Sequence, residues 1–595
     1  LLKPIVTRNH PEDFNFHPNL PSDFMRFFSP VLAALTLVLS LIPKGLADDV
    51  YQWSIPVYGG EDRRAYLWIP PGCRHVRGLI LGLNNMQEEY LFMNDEFRKN
   101  LADLDLGIVW IFPGFAIAPA NKQPPLSGPW PNGQQGQKDI ERVLSDLARE
   151  SGYSEIADAP LLPIAHSAAS PFVWGISSWS DRVFAGIPLK GYYTGGPAAN
   201  VPYLTIGSEW AEVGGPNWGE GWETYRETIL RIRSNQATGR DVELIGNIPD
   251  MGAGHYNSNP DLVPIINLFI RKAVAARLPE HPPVSGPVPL KSITAGMGAL
   301  ADSMNLGTAE FHPVPYDQYS GDKKKADWFF DTELAEAIND YVMQRINKKP
   351  EMINALDEQG EPVSLANSGV ADVHPSIAAD GTFRVKAVYL DRSPHALLYG
   401  GVPLGHADVP ILYRVSSGGL KQVGPDTFRI WAHRGNLSRQ SQPWEPHIMA
   451  WSPGNVEYRS ADRPIHPFIS NHLTEGTAQT IDFPQIPNQP ANAKSIALRA
   501  TASSGLPVQF FVISGPATLS EDNKTLFFTP IPTLAKMPVR IRMGAYQWGS
   551  PNEPKVQTAP EVIQEFFLGG NPKPEQLVPP DISSPYWTNG ATTFP

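Results

Sequence analysis

The pentapeptide Ala165-His166-Ser167-Ala168-Ala169 closes a short apolar run that starts at Leu161, and a stretch with helical character follows from Ser170. A serine in that place can be a nucleophile. Where a buried strand turns sharply into a helix, the hydroxyl is pushed out of the turn, and the residues two before and two after it must be small. The usual pair is glycine; here both are alanine, which fits the same space more tightly. The competing reading is a small residue that packs where strand meets helix.

A serine hydroxyl becomes nucleophilic only beside a base, and the base needs a group that fixes its tautomer and stabilises its charged form. In one chain order for such a set, the acid follows the serine and the histidine follows the acid. Glu209 ends the apolar run 201–208, and His255 sits in the glycine-bracketed segment Asp250-Met251-Gly252-Ala253-Gly254-His255. The separations are 42 residues from Ser167 to Glu209 and 46 from Glu209 to His255, each room for one strand and one helix. Glu212 and Glu220 are alternative acids, and Glu209 is then a surface carboxylate; His255 has its own alternative as a loop histidine outside the chemistry. His166 reads as a structural hydrogen-bonding residue. An oxyanion needs two N–H donors. The amide of Ala168, just after the serine, is one; the second is expected after the run 79–83, at Asn84 and Asn85 with Met86 next, where a simple turn is the alternative.

The elements that must position these groups follow from hydrophobic periodicity. Apolar runs at 51–57, 65–69, 78–83, 107–112, 161–165, 183–189, 203–206 and 242–245 read as strands. Helical patterns lie at 88–104, 139–150, 170–179, 222–233 and 261–276. Such alternation implies a mainly parallel sheet covered by helices on both faces. Residues 277–365 are rich in proline turns and carry one helix at 331–345, with Thr332 ahead of Glu333 and Glu336 as its capping signal. From about 370, short alternating strands dominate: 383–390, 409–415, 427–432 and 448–459, then a second β-rich block over 475–570.

On these residues the segment 50–275 resembles the α/β-hydrolase superfamily, in its bacterial exported esterase-like form. The resemblance covers under half of the chain. It implies an eight-stranded sheet, a Ser–His–acid triad of Ser167, His255 and Glu209, and ester hydrolysis through an acyl-enzyme. This chain departs from the family in its alanine pair and in lacking a His-Gly-Gly sequence after the third strand, which leaves the reaction type better defined than the substrate. Separately, Ser504-Gly-Leu-Pro-Val-Gln-Phe-Phe-Val-Ile-Ser-Gly-Pro-Ala517 resembles immunoglobulin-like modules appended to bacterial secreted proteins. The expected organisation is therefore an over-extended N-terminus at 1–24, a signal peptide at 25–47 and a catalytic α/β domain at 48–280. A helical extension or linker at 281–365 follows, then a β-rich domain at 366–470, an immunoglobulin-like β-sandwich at 471–570 and a tail at 571–595.

Composition bounds the function classes. The 595 residues are 42% hydrophobic and 18% charged, so ample core is available. A net charge of −12 with no Lys/Arg block argues against nucleic acid. The single Cys73 excludes an intrachain disulfide and a cysteine-rich zinc site, and it reads as a turn residue rather than a nucleophile. Met25-Arg-Phe-Phe, the apolar run 31–42 and Gly45-Leu-Ala47 have the order of a signal peptide, with an N-terminal membrane anchor as the alternative. Cleavage after Ala47 leaves no stable membrane span. Trp130, Trp210, Trp218 and Trp222 lie in loops after strands and can form an aromatic wall for a sugar or aryl ester; loop packing is the alternative. No cofactor and no metal site is expected. The sequence thus points to a small-molecule or polysaccharide ester as substrate, with a carbohydrate ester leading, and says nothing of oligomeric state. The alternatives are a serine peptidase of the same fold and a non-catalytic glycan- or protein-binding protein on a hydrolase scaffold.

Overall fold

The computed structural model describes residues 50–57, 60–85, 88–112, 133–179, 181–191, 197–209, 242–283, 285–364, 369–393, 403–432, 434, 446–470 and 472–577. The expected signal peptide, Trp130, Trp210, Trp218, Trp222, Glu212, Glu220, Met86 and the helix at 222–233 lie outside these residues.

Eight strands form one sheet: β1 (Trp53–Val57), β2 (Gly60–Trp68), β3 (Gly78–Leu83), β4 (Leu106–Phe112), β5 (Leu161–His166), β6 (Ile187–Leu189), β7 (Tyr203–Ser208) and β8 (Ile245–Asp250). Their spatial order is β1-β2-β4-β3-β5-β6-β7-β8. The first two strands pair antiparallel, β2 pairs antiparallel with β4, and all later pairings are parallel. This is the α/β-hydrolase architecture expected from the sequence. Because successive side chains point to opposite faces, Ile80, Ile108 and Trp110 enter one core, while Leu79, Leu81, Val109 and Ile111 enter the other. The first core is covered by α2 (Asp95–Asp103) and α5 (Val263–Arg277), the second by α3 (Gly133–Ser151) and α4 (Ser170–Ile176).

Several elements differ from the sequence expectation. The helix expected at 88–104 is broken into α1 (Glu88–Phe92) and α2, because Asn94 leaves the helix and its side chain accepts from Phe97 N as the cap of the second piece. The last strand lies at Ile245–Asp250 rather than 242–245, so its C-terminal end meets the histidine loop directly. Helix α6 (Thr332–Ile346) is capped by Asp331, whose carboxylate accepts from Leu334 N, and not by Thr332. The proline-rich stretch before it holds three short antiparallel strands, β9 (Ala299–Asp302), β10 (Val314–Pro315) and β11 (Ala326–Phe329).

The remaining described chain forms several small, mainly antiparallel sheets. One of four strands orders β12 (Ala371–Val373), β15 (Ala461–Pro467), β14 (His447–Ser452) and β13 (Leu412–Ser417). Its Ala371, Ile448 and Ile465 belong to the same buried cluster as Ile80 and Trp110 of the main sheet. The eight-stranded sheet and this β region therefore share one continuous core. A separate cluster that includes Phe483, Phe510, Leu526, Ile541 and Phe566 lies under the last sheets. Among the described residues, no helix is long and apolar enough to cross a membrane.

Candidate active site

Strand β5 ends at His166, and the chain turns through a 3-10 segment at Ser167–Ala169 into α4. Ser167 takes φ +52°, the left-handed region. A non-glycine residue there carries about 1–3 kcal/mol of strain, which the surroundings must offset. The two alanines that replace the usual glycines are both fully buried in the second core, so their methyls contribute packing to the turn. Ser170 fastens the start of α4 by donating to the carbonyls of Ala165 (3.1 Å) and Leu189 (3.3 Å). The result is a serine held in one strained conformation between two rigid elements.

Ser167 Oγ lies 2.6 Å from Nε2 of His255. His255 is itself buried, in the loop that leaves β8. With Nε2 unprotonated, the serine hydroxyl donates to it, which is the arrangement a general base requires.

The loop that presents His255 is gripped from several sides. Lys190, buried and in the left-handed region at φ +44°, donates to the carbonyls of Gly254 (2.9 Å) and Asn257 (2.6 Å). Its ammonium also lies 2.7 Å from Asp250 Oδ2. His166 Nε2–H donates to the carbonyl of His255 itself at 3.0 Å. That bond fixes the tautomer of His166, and burial together with the nearby His255 and Lys190 holds its pKa well below the ordinary histidine range. His166 is therefore a neutral strut, as the sequence suggests, and not a base.

Glu209 follows β7 directly, at the sheet position expected for the acid. Its Oε2 accepts from Gly252 N at 2.6 Å, and its Oε1 from Arg459 Nη2 at 2.5 Å. It thus meets the histidine loop at Gly252, three residues before the imidazole. The expectation was contact with the imidazole; the structure assigns both carboxylate oxygens to other donors.

At the other side of the serine, the expected oxyanion donors are differently engaged. Asn84 N donates to Ile111 O at 3.1 Å, continuing the sheet, and Asn85 N donates to Glu88 Oε2 at 2.9 Å. Asn85 Nδ2 donates to His166 O at 3.1 Å. Fully buried Glu88 also accepts from His166 N at 2.5 Å. Asn85 and Glu88 therefore brace the Ser167 turn against the loop after β3. Neither backbone amide of the asparagine pair is free to receive an oxyanion. Ala168 keeps its place directly after the serine.

Lys190, Glu88 and Arg459 did not stand out in the sequence. A lysine closing the buried run 183–189 and a glutamate three residues after Asn85 were local signals for the first two. Arg459 lies 250 residues from its partner Glu209, and no local pattern marks it.

No family model and no curated protein matches the sequence. Among solved structures, the chain is similar to Est1E from Butyrivibrio proteoclasticus, with 10% identity over 38% of this chain and 99% of that one and a TM-score of 0.23. It is also similar to esterase PE8, with 12% identity, coverage of 38% and 99%, and a TM-score of 0.24. For the S-formylglutathione hydrolase from Agrobacterium tumefaciens the figures are 10%, 38%, 99% and 0.26.

Proposed function

We propose that the protein is a serine hydrolase that cleaves carboxylic esters through an acyl-enzyme. The observation that carries this reading is the pairing of a strained, left-handed Ser167 with His255 Nε2 at 2.6 Å, at the C-terminal ends of two parallel strands. In the first step Ser167 Oγ attacks the ester carbonyl carbon and its proton passes to His255 Nε2. Collapse of the tetrahedral intermediate expels the alcohol, which takes that proton. Water then attacks the acyl-enzyme, gives a proton to His255, and releases the acid as Ser167 regains it. Ala168 N–H is the proposed first oxyanion donor. Glu209 serves as the carboxylate that fixes the His255 loop.

The order of charged, apolar and small residues at 25–47 supports export, to the periplasm or outside the cell. With the loop tryptophans it favours a carbohydrate ester as substrate. The apolar core shared by the last sheets supports the immunoglobulin-like reading of that region. Hydrolysis of p-nitrophenyl acetate by wild type, lost in Ser167→Ala, tests the reaction; a Ser167→Ala variant as active as wild type rejects it.

A further inference from the structure

We infer that the β region after the hydrolase sheet is part of the catalytic machinery, with Arg459 acting through Glu209 as the positioning residue for the His255 loop; this rests on the serine-hydrolase reading above. The loop 251–258 meets that region at three places directly and at a fourth through Glu209. Arg459 pairs with Glu209, which in turn accepts from Gly252 N. Arg414 Nη2 donates to Ser258 O at 2.5 Å. Asn257 Nδ2 donates to the carbonyl of Asp462 at 2.8 Å. Gly252, at φ +82°, lies so close to Ser460 that a Cβ there would sit 2.4 Å from its carbonyl oxygen.

Charge and burial single out Arg459. Both members of the Arg459–Glu209 pair are nearly inaccessible, with side chains 6% and 9% exposed. Desolvating two charges is unfavourable unless their geometry and remaining hydrogen bonds are good, and removing one partner strands the other. Glu209 meets that demand by sharing its second oxygen with Gly252 N. The carboxylate is thus a bridge between the β region and the backbone three residues before His255. Arg459 is in turn anchored at its backbone, where its N–H donates to Lys349 O at 3.0 Å. Lys190 holds the same loop at the carbonyls of Gly254 and Asn257, so the segment carrying the imidazole is fixed on both sides of His255 in the chain. A displacement of about 1 Å at a reacting group can cost on the order of 10²-fold in rate.

The test is steady-state hydrolysis of p-nitrophenyl acetate by the full chain, with kcat expressed per site titrated by a fluorophosphonate, so that unfolded protein does not count. Arg459→Met is expected to lower kcat about 10²-fold while KM stays within about threefold, and Arg459→Lys to recover part of the loss. Arg459→Met combined with Glu209→Gln is expected to lose less than Arg459→Met alone, because no buried carboxylate is stranded. A merely structural arginine would lower the titrated fraction and leave kcat per site at the wild-type value, and that result would overturn the inference. Ser167→Ala, run alongside, separates the two failures: hydrolysis that survives it removes the parent reading and the inference with it.

Discussion

Lys190 and Asp250 form a buried ion pair, 2.7 Å apart, beneath the loop that carries His255. The lysine directly follows β6, the aspartate closes β8, and the ammonium continues to the carbonyls of Gly254 and Asn257. A charge placed there ties the histidine loop to two parallel strands of the sheet.

Lys190→Met is therefore expected to destabilise the fold by about 3–5 kcal/mol, the usual cost of stranding a buried charge. Lys190→Met with Asp250→Asn should recover part of it. Thermal unfolding followed by circular dichroism checks both variants; equal midpoints for wild type and Lys190→Met would show that the pair contributes nothing.

His255→Asn removes the proposed base while leaving the loop's backbone contacts with Lys190 and His166 in place. The expected loss is about 10²–10⁴-fold in kcat for ester hydrolysis, with an unchanged unfolding midpoint. A stable variant with wild-type kcat would assign the base to another group.

Gly252→Ala places a methyl 2.4 Å from Ser460 O at a backbone conformation of φ +82°. Strain of about 1–3 kcal/mol is expected from the conformation alone, and the contact adds to it. Because Gly252 N also holds Glu209, activity should fall together with the unfolding midpoint. Wild-type values for both would mean that loop and β region are not in contact in solution.

His166 gives a signed pH dependence. Burial keeps its folded pKa well below the ordinary value, whereas the unfolded residue titrates near 6.5. Between those values the unfolded chain binds a proton that the native one does not, so this residue's contribution to stability falls as pH drops below about 6.5. Asp462 runs the other way: burial raises it to about 6, and its contribution falls as pH rises toward that value. Comparison with His166→Asn isolates the histidine. Wild type should lose more of its unfolding midpoint than the variant between about pH 7 and about pH 5; parallel losses would count against a neutral, buried His166.

Much of the eight-stranded sheet was legible in the sequence because its strands are buried on both faces and read as unbroken apolar runs. Run 78–83 matches β3 in full, and 161–165 matches β5 less its last residue. Ser167 and His255 could be found for a related reason: each follows such a strand, in a turn whose small residues are visible locally. What escaped was set by contacts distant in the chain. Asn94 breaks the first helical pattern with a polar cap that periodicity alone passes over. The engagement of Asn84 and Asn85 depends on Ile111, Glu88 and His166, and the engagement of Glu209 depends on Arg459. A local sequence window holds at most one end of most of these contacts.

The measurement that bears most directly on the central claim is covalent labelling with a fluorophosphonate probe, read by intact mass, for wild type and Ser167→Ala. The account expects one adduct per wild-type chain, located at Ser167, and none on the variant. A folded wild-type protein that takes no label, or a Ser167→Ala variant labelled as readily as wild type, would contradict Ser167 as an activated nucleophile.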